Sequence, residues 1–263
     1  MRPRTNRGNR LKDPKTILIT GASGAIGAAL AREYAAPGTK LLLFGRDQTR
    51  LQQSASDCEA LGAMARTWSV DIADPNLTKA SALEADDIHP IDLLIANAGI
   101  MIPPTAANER WDDVVATLQV NVLGTLAAAV PLAERMIARG GGQIALMSSL
   151  ASYRGLPVAP IYSASKATLR AYGESIRPRL AGEGVQVSVI CPGFVESEMC
   201  QAFPGRKLFI GTPEAAATRI RQGLRRNRAH IAFPFPLVLA TAFVAALPVS
   251  WGDALLRWFN WPR

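Results

Sequence analysis

The sequence predicts an α/β fold, with one doubly wound parallel sheet, helices on both faces and an apolar C-terminal extension. Three observations carry this. Short apolar runs alternate with helical segments from residue 15 to residue 190. Several of those runs are continuous rather than alternating, as expected of strands covered on both sides. A glycine-rich turn sits between the first strand and the first helix. With 263 residues, 49% of them hydrophobic, the chain is large enough to bury one sizeable core.

The elements follow in order. Residues 15–20 (KTILIT) are an apolar run stopped by Gly21. Residues 25–36 have helical character and close at Pro37-Gly38. A second strand is expected at 40–44. A polar helix over 47–61 follows, with Asp47 as N-cap and Gly62 beyond its end. Residues 65–70 form a third strand, and Asp74-Pro75 reads as an N-cap with proline in the first helical position. A fourth strand (91–95), a long helix (109–138), a fifth strand (143–148), a helix (160–181) and a sixth strand (185–190) complete the pattern. Pro178 predicts a kink late in the 160–181 helix, since an interior proline costs about 3 kcal/mol.

Charge is local. The net charge is +8; residues 1–15 contribute +5 and residues 219–230 another +5, leaving −2 for the rest. Residues 1–14 read as a basic, disordered tail and 15–230 as the domain. A nucleic-acid partner would call for charge along the docking face of the body, so none is expected. No apolar segment follows the basic run, which excludes a signal peptide reading. Three cysteines (Cys58, Cys191, Cys200) and two histidines give neither a disulfide framework nor a zinc site, so no metal is expected and the thiols read as buried in a reducing compartment.

Residues 231–263 hold seven of the seventeen aromatic side chains, and 231–251 contain no acidic or basic residue. Prolines 234, 236 and 248 leave only 237–247 uninterrupted, short of the roughly 20 residues that span a bilayer. Packing on its own domain is the first expectation for this extension. Burial at a subunit interface or contact with a membrane surface through 219–263 are the others.

The chemistry begins at the turn TGASGAIG, Thr20 to Gly27. Gly21, Gly24 and Gly27 remove Cβ atoms where the backbone must approach a pyrophosphate, with Ser23, Ala25 and Ile26 between them. Its place after a strand and before a helix fits a Rossmann-type dinucleotide site. The strand after the first helix ends at Gly45-Arg46, a guanidinium with no carboxylate, which suits a ribose 2′-phosphate and hence NADP, with NAD as the second option. Further on, Tyr162 and Lys166 stand four apart in YSASK, on one helix face and about 6 Å apart along the axis. Ser149 ends the fifth strand and Asn121 lies in LQVNVLG.

The pattern TGxxx[AG]xG, the NAG of Asn97, Ala98 and Gly99, YxxxK and the later Pro192-Gly193, in this order, resembles the short-chain dehydrogenase/reductase family over roughly 15–200. At Ala96 the chain departs from the family's frequent NNAG. The resemblance implies that Asp71 bonds the adenine amino group and Ile72 meets the ring. It implies that Asn97, Ala98 and Gly99 face the cofactor, and that Pro192, Gly193, Val195 and Ser197 lie along the nicotinamide and diphosphate. It gives Ser149 the substrate oxygen, Lys166 the nicotinamide ribose, and Asn121 a water linked to Lys166. It also implies a mobile lid over 194–212 and a homo-oligomer built on the helices beside the fifth strand.

Tyr162 is then the general acid/base. A phenol titrates near ~10, and bringing it to about 7 takes roughly 4 kcal/mol of phenolate stabilisation, which a neighbouring ammonium can supply. The expected activity is hydride transfer between NADP and a carbonyl or secondary alcohol, with a hydrophobic substrate hinted by Met199, Phe203, Leu208 and Phe209. A catalytically silent dinucleotide-binding sensor or scaffold is the alternative. A cytoplasmic location, peripheral at a membrane's inner face if the extension docks there, is the matching expectation.

Overall fold

The computed structural model describes residues 13–103, 109–204 and 206–258. Most of the basic N-terminal tail (1–12), with Phe259 and Trp261 of the extension, lies outside the described residues. Seven parallel strands form one sheet: β1 (Thr16–Thr20), β2 (Lys40–Gly45), β3 (Met64–Ser69), β4 (Leu93–Ala96), β5 (Gly142–Met147), β6 (Val185–Pro192) and β7 (His230–Phe233). Their spatial order is β3-β2-β1-β4-β5-β6-β7, so the order reverses between β1 and β4.

The apolar runs divide by the strand period of two. Ile17, Ile19, Leu41, Leu43, Leu93 and Ile95 face one side, under α1 (Ala25–Tyr34), α2 (Gln48–Ala60) and α8 (Pro213–Arg225). Leu18, Leu42, Leu94, Ile144 and Leu146 face the other, under α3 (Pro75–Ile88), α5 (Thr125–Arg139) and α6 (Pro160–Ala181). Each such side chain, removed from water, contributes about 1.5–3 kcal/mol. Two predicted caps hold: Asp47 accepts from the Arg50 amide, and Asp74 accepts from the Asn76 and Leu77 amides ahead of Pro75. The three thiols are buried.

Three departures from the sequence reading have physical reasons. The sheet has a seventh strand: His230–Phe233 pairs in parallel with Val189–Pro192. Residues 231–233, read as the start of the extension, therefore belong to the sheet, and the extension begins at Pro234. The run HIAF is too short and too alternating to stand out as a buried strand. The long helix is not α-helical throughout, since α4 (Trp111–Leu118) passes into a π-helical segment, Gln119–Gly124, before α5. By length and composition 111–139 could cross a membrane, but its inner face packs into the domain. The helix expected over 160–181 is continuous, with Pro178 inside it.

The extension forms two helices, α9 (Phe235–Ala246) and α10 (Val249–Trp258), with the three prolines marking their starts. Leu237 and Val238 pack on Leu150, Val189 and Cys191. Arg154 holds α10 through the Val249 carbonyl and an ion pair to Asp253. Packing on its own domain, the first expectation for this segment, describes its inner face.

Candidate active site

At the carboxyl ends of the strands, where the order reverses, lies a cavity of about 1100 Å³. Open α/β sheets bind ligands at this place. Of the residues singled out from the sequence, Gly21, Ser23, Gly24, Ala25, Ile26, Gly27, Arg46, Asp71, Ile72, Asn97, Ala98, Gly99, Ser149, Tyr162, Lys166, Pro192, Gly193, Val195 and Ser197 all line it. Asn121 does not; it sits behind the wall, fully buried.

The turn at one end is shaped by missing side chains. Gly21 has φ +67, and a Cβ on Gly27 would stand 2.1 Å from the Gly21 carbonyl oxygen. Only glycine lets helix α1 start so close to the strand. Gly24 occupies the N-cap and offers no side-chain cap, so the first-turn amides face the cavity with the positive end of the helix dipole. That donor set and cradle fit a dinucleotide pyrophosphate. The Thr20 hydroxyl accepts from the amides of Asn97 and Ala98, each at 3.0 Å, and Asn97 donates its Nδ2 to the Thr20 carbonyl at 3.1 Å. These bonds tie the end of β4 to the glycine turn.

Beyond β2, Arg46 is exposed on the cavity edge. Asp47 lines the cavity beside it, with its carboxylate committed to capping α2 and to Arg50 at 3.4 Å. Asp71 makes a local turn, accepting from the Ala73 amide at 3.0 Å, while still reaching the cavity. Ser197 caps α7 (Glu198–Ala202) by accepting from the Cys200 amide at 3.0 Å.

The polar end lies on β5, the short turn after it and α6. Ser149 caps a single 3₁₀ turn, Leu150–Ser152, with its hydroxyl accepting from the Ala151 amide at 3.1 Å. Tyr162 packs against the buried apolar cluster of Met101, Val158, Ala159 and Phe203. Burial pushes its hydroxyl above the ordinary phenol value, and a hydrogen bond with Ser149 pulls the other way without prevailing. Lys166 is buried, donates Nζ to the Met147 carbonyl at 2.9 Å, and lies 5.8 Å from the Tyr162 ring centre. Desolvation brings its ammonium down to about 8. Burial is the larger of the two influences on the Tyr162 hydroxyl.

Asn121 stands in the π-helical segment, a device that often re-aims a functional side chain. It accepts from the Ile100 amide at 2.7 Å and donates both to the Ile100 carbonyl and to Ser165, each at 2.9 Å. Ser165 donates in turn to the Tyr162 carbonyl at 2.7 Å. Gly99 completes the arrangement: a Cβ there would lie 3.0 Å from Lys166 Nζ and 3.2 Å from Asn121 Oδ1.

Part of the wall was not visible in sequence. Leu237, Ala240, Thr241 and Val244 line the cavity from α9, at helical spacing i, i+3, i+4, i+7. Arg154, Arg50 and Glu198 line it too. Phe209, expected in the apolar wall, instead points outward with φ +56, whereas Met199, Phe203 and Leu208 do line the cavity.

The family model described as short chain dehydrogenase matches residues 15–206. The chain belongs to the short-chain dehydrogenase family. An uncharacterized oxidoreductase of Myxococcus xanthus is 34% identical over 92% of this chain and 96% of its own length. A short-chain dehydrogenase/reductase from Burkholderia phymatum, solved with NAD, is 25% identical, with a TM-score of 0.79 over 89% of this chain and 93% of its own. One from Burkholderia cenocepacia, solved with NADP, is 26% identical, with a TM-score of 0.73 over 85% and 96%. This short-chain dehydrogenase is thus an NAD(P)-dependent oxidoreductase on a Rossmann-type sheet, and its cavity has the cradle that such a cofactor needs.

Proposed function

We propose that this enzyme is an NADP-preferring reductase of apolar carbonyl compounds, running in reverse as a secondary-alcohol dehydrogenase. The observation that carries the reading is the grouping of Tyr162, Ser149 and Lys166 on one wall of the cavity, with Arg46 directly after β2 and the neighbouring Asp47 committed to Arg50. A bound nicotinamide supplies or takes up the hydride. Gly21, Gly24 and Gly27 admit its pyrophosphate, Arg46 meets the 2′-phosphate, and Asp71 and Ile72 stand at the adenine end. Asn97, Ala98, Gly99, Pro192, Gly193, Val195 and Ser197 form the remaining contact surface.

Ser149 and Tyr162 hold the substrate oxygen between two hydroxyls. Tyr162 gives that oxygen a proton. With burial holding its hydroxyl above the ordinary phenol value, it carries that proton at neutral pH. Lys166, charged below about 8, favours the phenolate left behind and would hold a hydroxyl of the nicotinamide ribose. Asn121 is a positioning residue that fixes Ile100 and, through Ser165, the turn of α6 carrying Tyr162. The apolar surroundings of Tyr162 and the α9 row suit a hydrophobic substrate.

The test is a panel of aliphatic and aromatic ketones and aldehydes, followed by nicotinamide absorbance with NADPH and with NADH. The expected result is turnover of apolar members with a lower KM for NADPH. Turnover with NADH alone would contradict the cofactor reading, and none with either would contradict the enzymatic one.

A further inference from the structure

Helix α9 is unusual for a helix at the protein surface. Every exposed residue on it is apolar: Phe235, Pro236, Leu239, Ala240, Ala242, Phe243, Ala245 and Ala246. Its one polar side chain, Thr241, bonds the Leu237 carbonyl and lines the cavity. Phe235, Leu239 and Phe243 are 70%, 54% and 62% exposed. A second segment repeats the pattern: Leu208, Phe209 and Ile210 are exposed in succession, with Phe209 at 59%. Both segments wall the same cavity, one through Arg206 and Leu208 and the other through Leu237 and Val244.

We propose that this face docks on an anionic lipid bilayer and opens the substrate cavity towards it. Charge favours that occupant. Residues 199–213 and 229–252 contain no Asp or Glu, while Arg206 and Lys207 stand directly beside the exposed Leu208–Ile210. Two cations among exposed aromatic and aliphatic side chains match an interface of anionic headgroups over acyl chains. At about 18 Å, α9 is too short to span, so it lies in the interfacial plane with its inner row held by Leu150, Val189 and Cys191. A protein seated on the same residues would close the cavity that they wall; a bilayer would feed it. The substrate is then a carbonyl compound or alcohol that partitions into lipid. This last step rests on the function proposed above, whereas the docking does not.

The test uses the full-length chain, without cofactor, and flotation with phosphatidylcholine vesicles and with vesicles of phosphatidylcholine and phosphatidylglycerol. The comparison is the triple variant Phe209→Ser, Leu239→Gln, Phe243→Gln, whose positions lie outside the cavity lining. The expected result is flotation with anionic vesicles, weaker flotation with neutral ones, and loss of at least about tenfold in the variant. NADPH binding unchanged in the variant shows that it folds. Wild-type protein left at the bottom of both gradients overturns the proposal. So does light scattering that finds a wild-type dimer and a monomeric variant, because the face would then belong to a second copy.

Discussion

Arg50 Nη2 donates to Glu198 Oε1 at 2.6 Å, joining α2 to the first residue of α7 across the cavity that both side chains line. The two residues are 148 positions apart. Both are well exposed, and an ion pair of that kind contributes little to stability, so it is cheap to exchange for another partner. With Arg46 on the same edge, Arg50 is a second guanidinium within reach of a 2′-phosphate, and Glu198 competes for it. Glu198→Gln should lower KM for NADPH by about two- to fivefold and leave that for NADH unchanged. Steady-state kinetics with both cofactors check this; equal changes would contradict it.

Arg46 itself should set the preference. Arg46→Asp replaces a cation with a carboxylate able to bond a ribose 2′-hydroxyl and repel a phosphate. The ratio of kcat/KM for NADPH to that for NADH should fall by at least about tenfold. An unchanged ratio would remove Arg46 from the cofactor site.

Lys166 predicts a pH limb. Its proton is lost on rising through about 8, while Tyr162, raised by burial, keeps its own. Since burial lowers the lysine, its charged form is present below that value and disappears above it. The kcat/KM for reduction should therefore decline above about pH 8. Lys166→Arg, with a side chain that stays charged, should lose activity at neutral pH yet lack that limb. The same limb in the arginine variant would assign it to another group.

Asn121 offers a stability test. Asn121→Ala strands the Ile100 amide and carbonyl and leaves the Ser165 hydroxyl with only its bond to the Tyr162 carbonyl. Leaving such groups without partners costs about 3 kcal/mol, or roughly 6–12 °C in Tm for a domain of this size. Thermal unfolding by circular dichroism checks this; a Tm within about 2 °C of the wild type would contradict it.

Much of this molecule was legible because its information is local. The apolar runs of β1, β2 and β4, the caps at Asp47 and Asp74, and the YSASK spacing are each contained within a few residues. What escaped depends on distant partners. β7 exists because β6 offers it an edge. The π-helical turn at Asn121 leaves no mark on a hydrophobic period. The row Leu237, Ala240, Thr241, Val244 reads as any apolar helix until the fold lays it across the cavity. A truncation meant to remove the extension should begin at Phe235, since one starting at 231 would also take the edge of the sheet.

The measurement closest to the central claim compares wild type with Tyr162→Phe in two assays, NADPH binding by fluorescence titration and single-turnover carbonyl reduction. The variant loses one hydroxyl in an apolar wall, so cofactor affinity should stay within about twofold while reduction falls by about 10²- to 10⁴-fold. Reduction at the wild-type rate in a variant that binds NADPH normally would contradict the assignment of the proton to Tyr162.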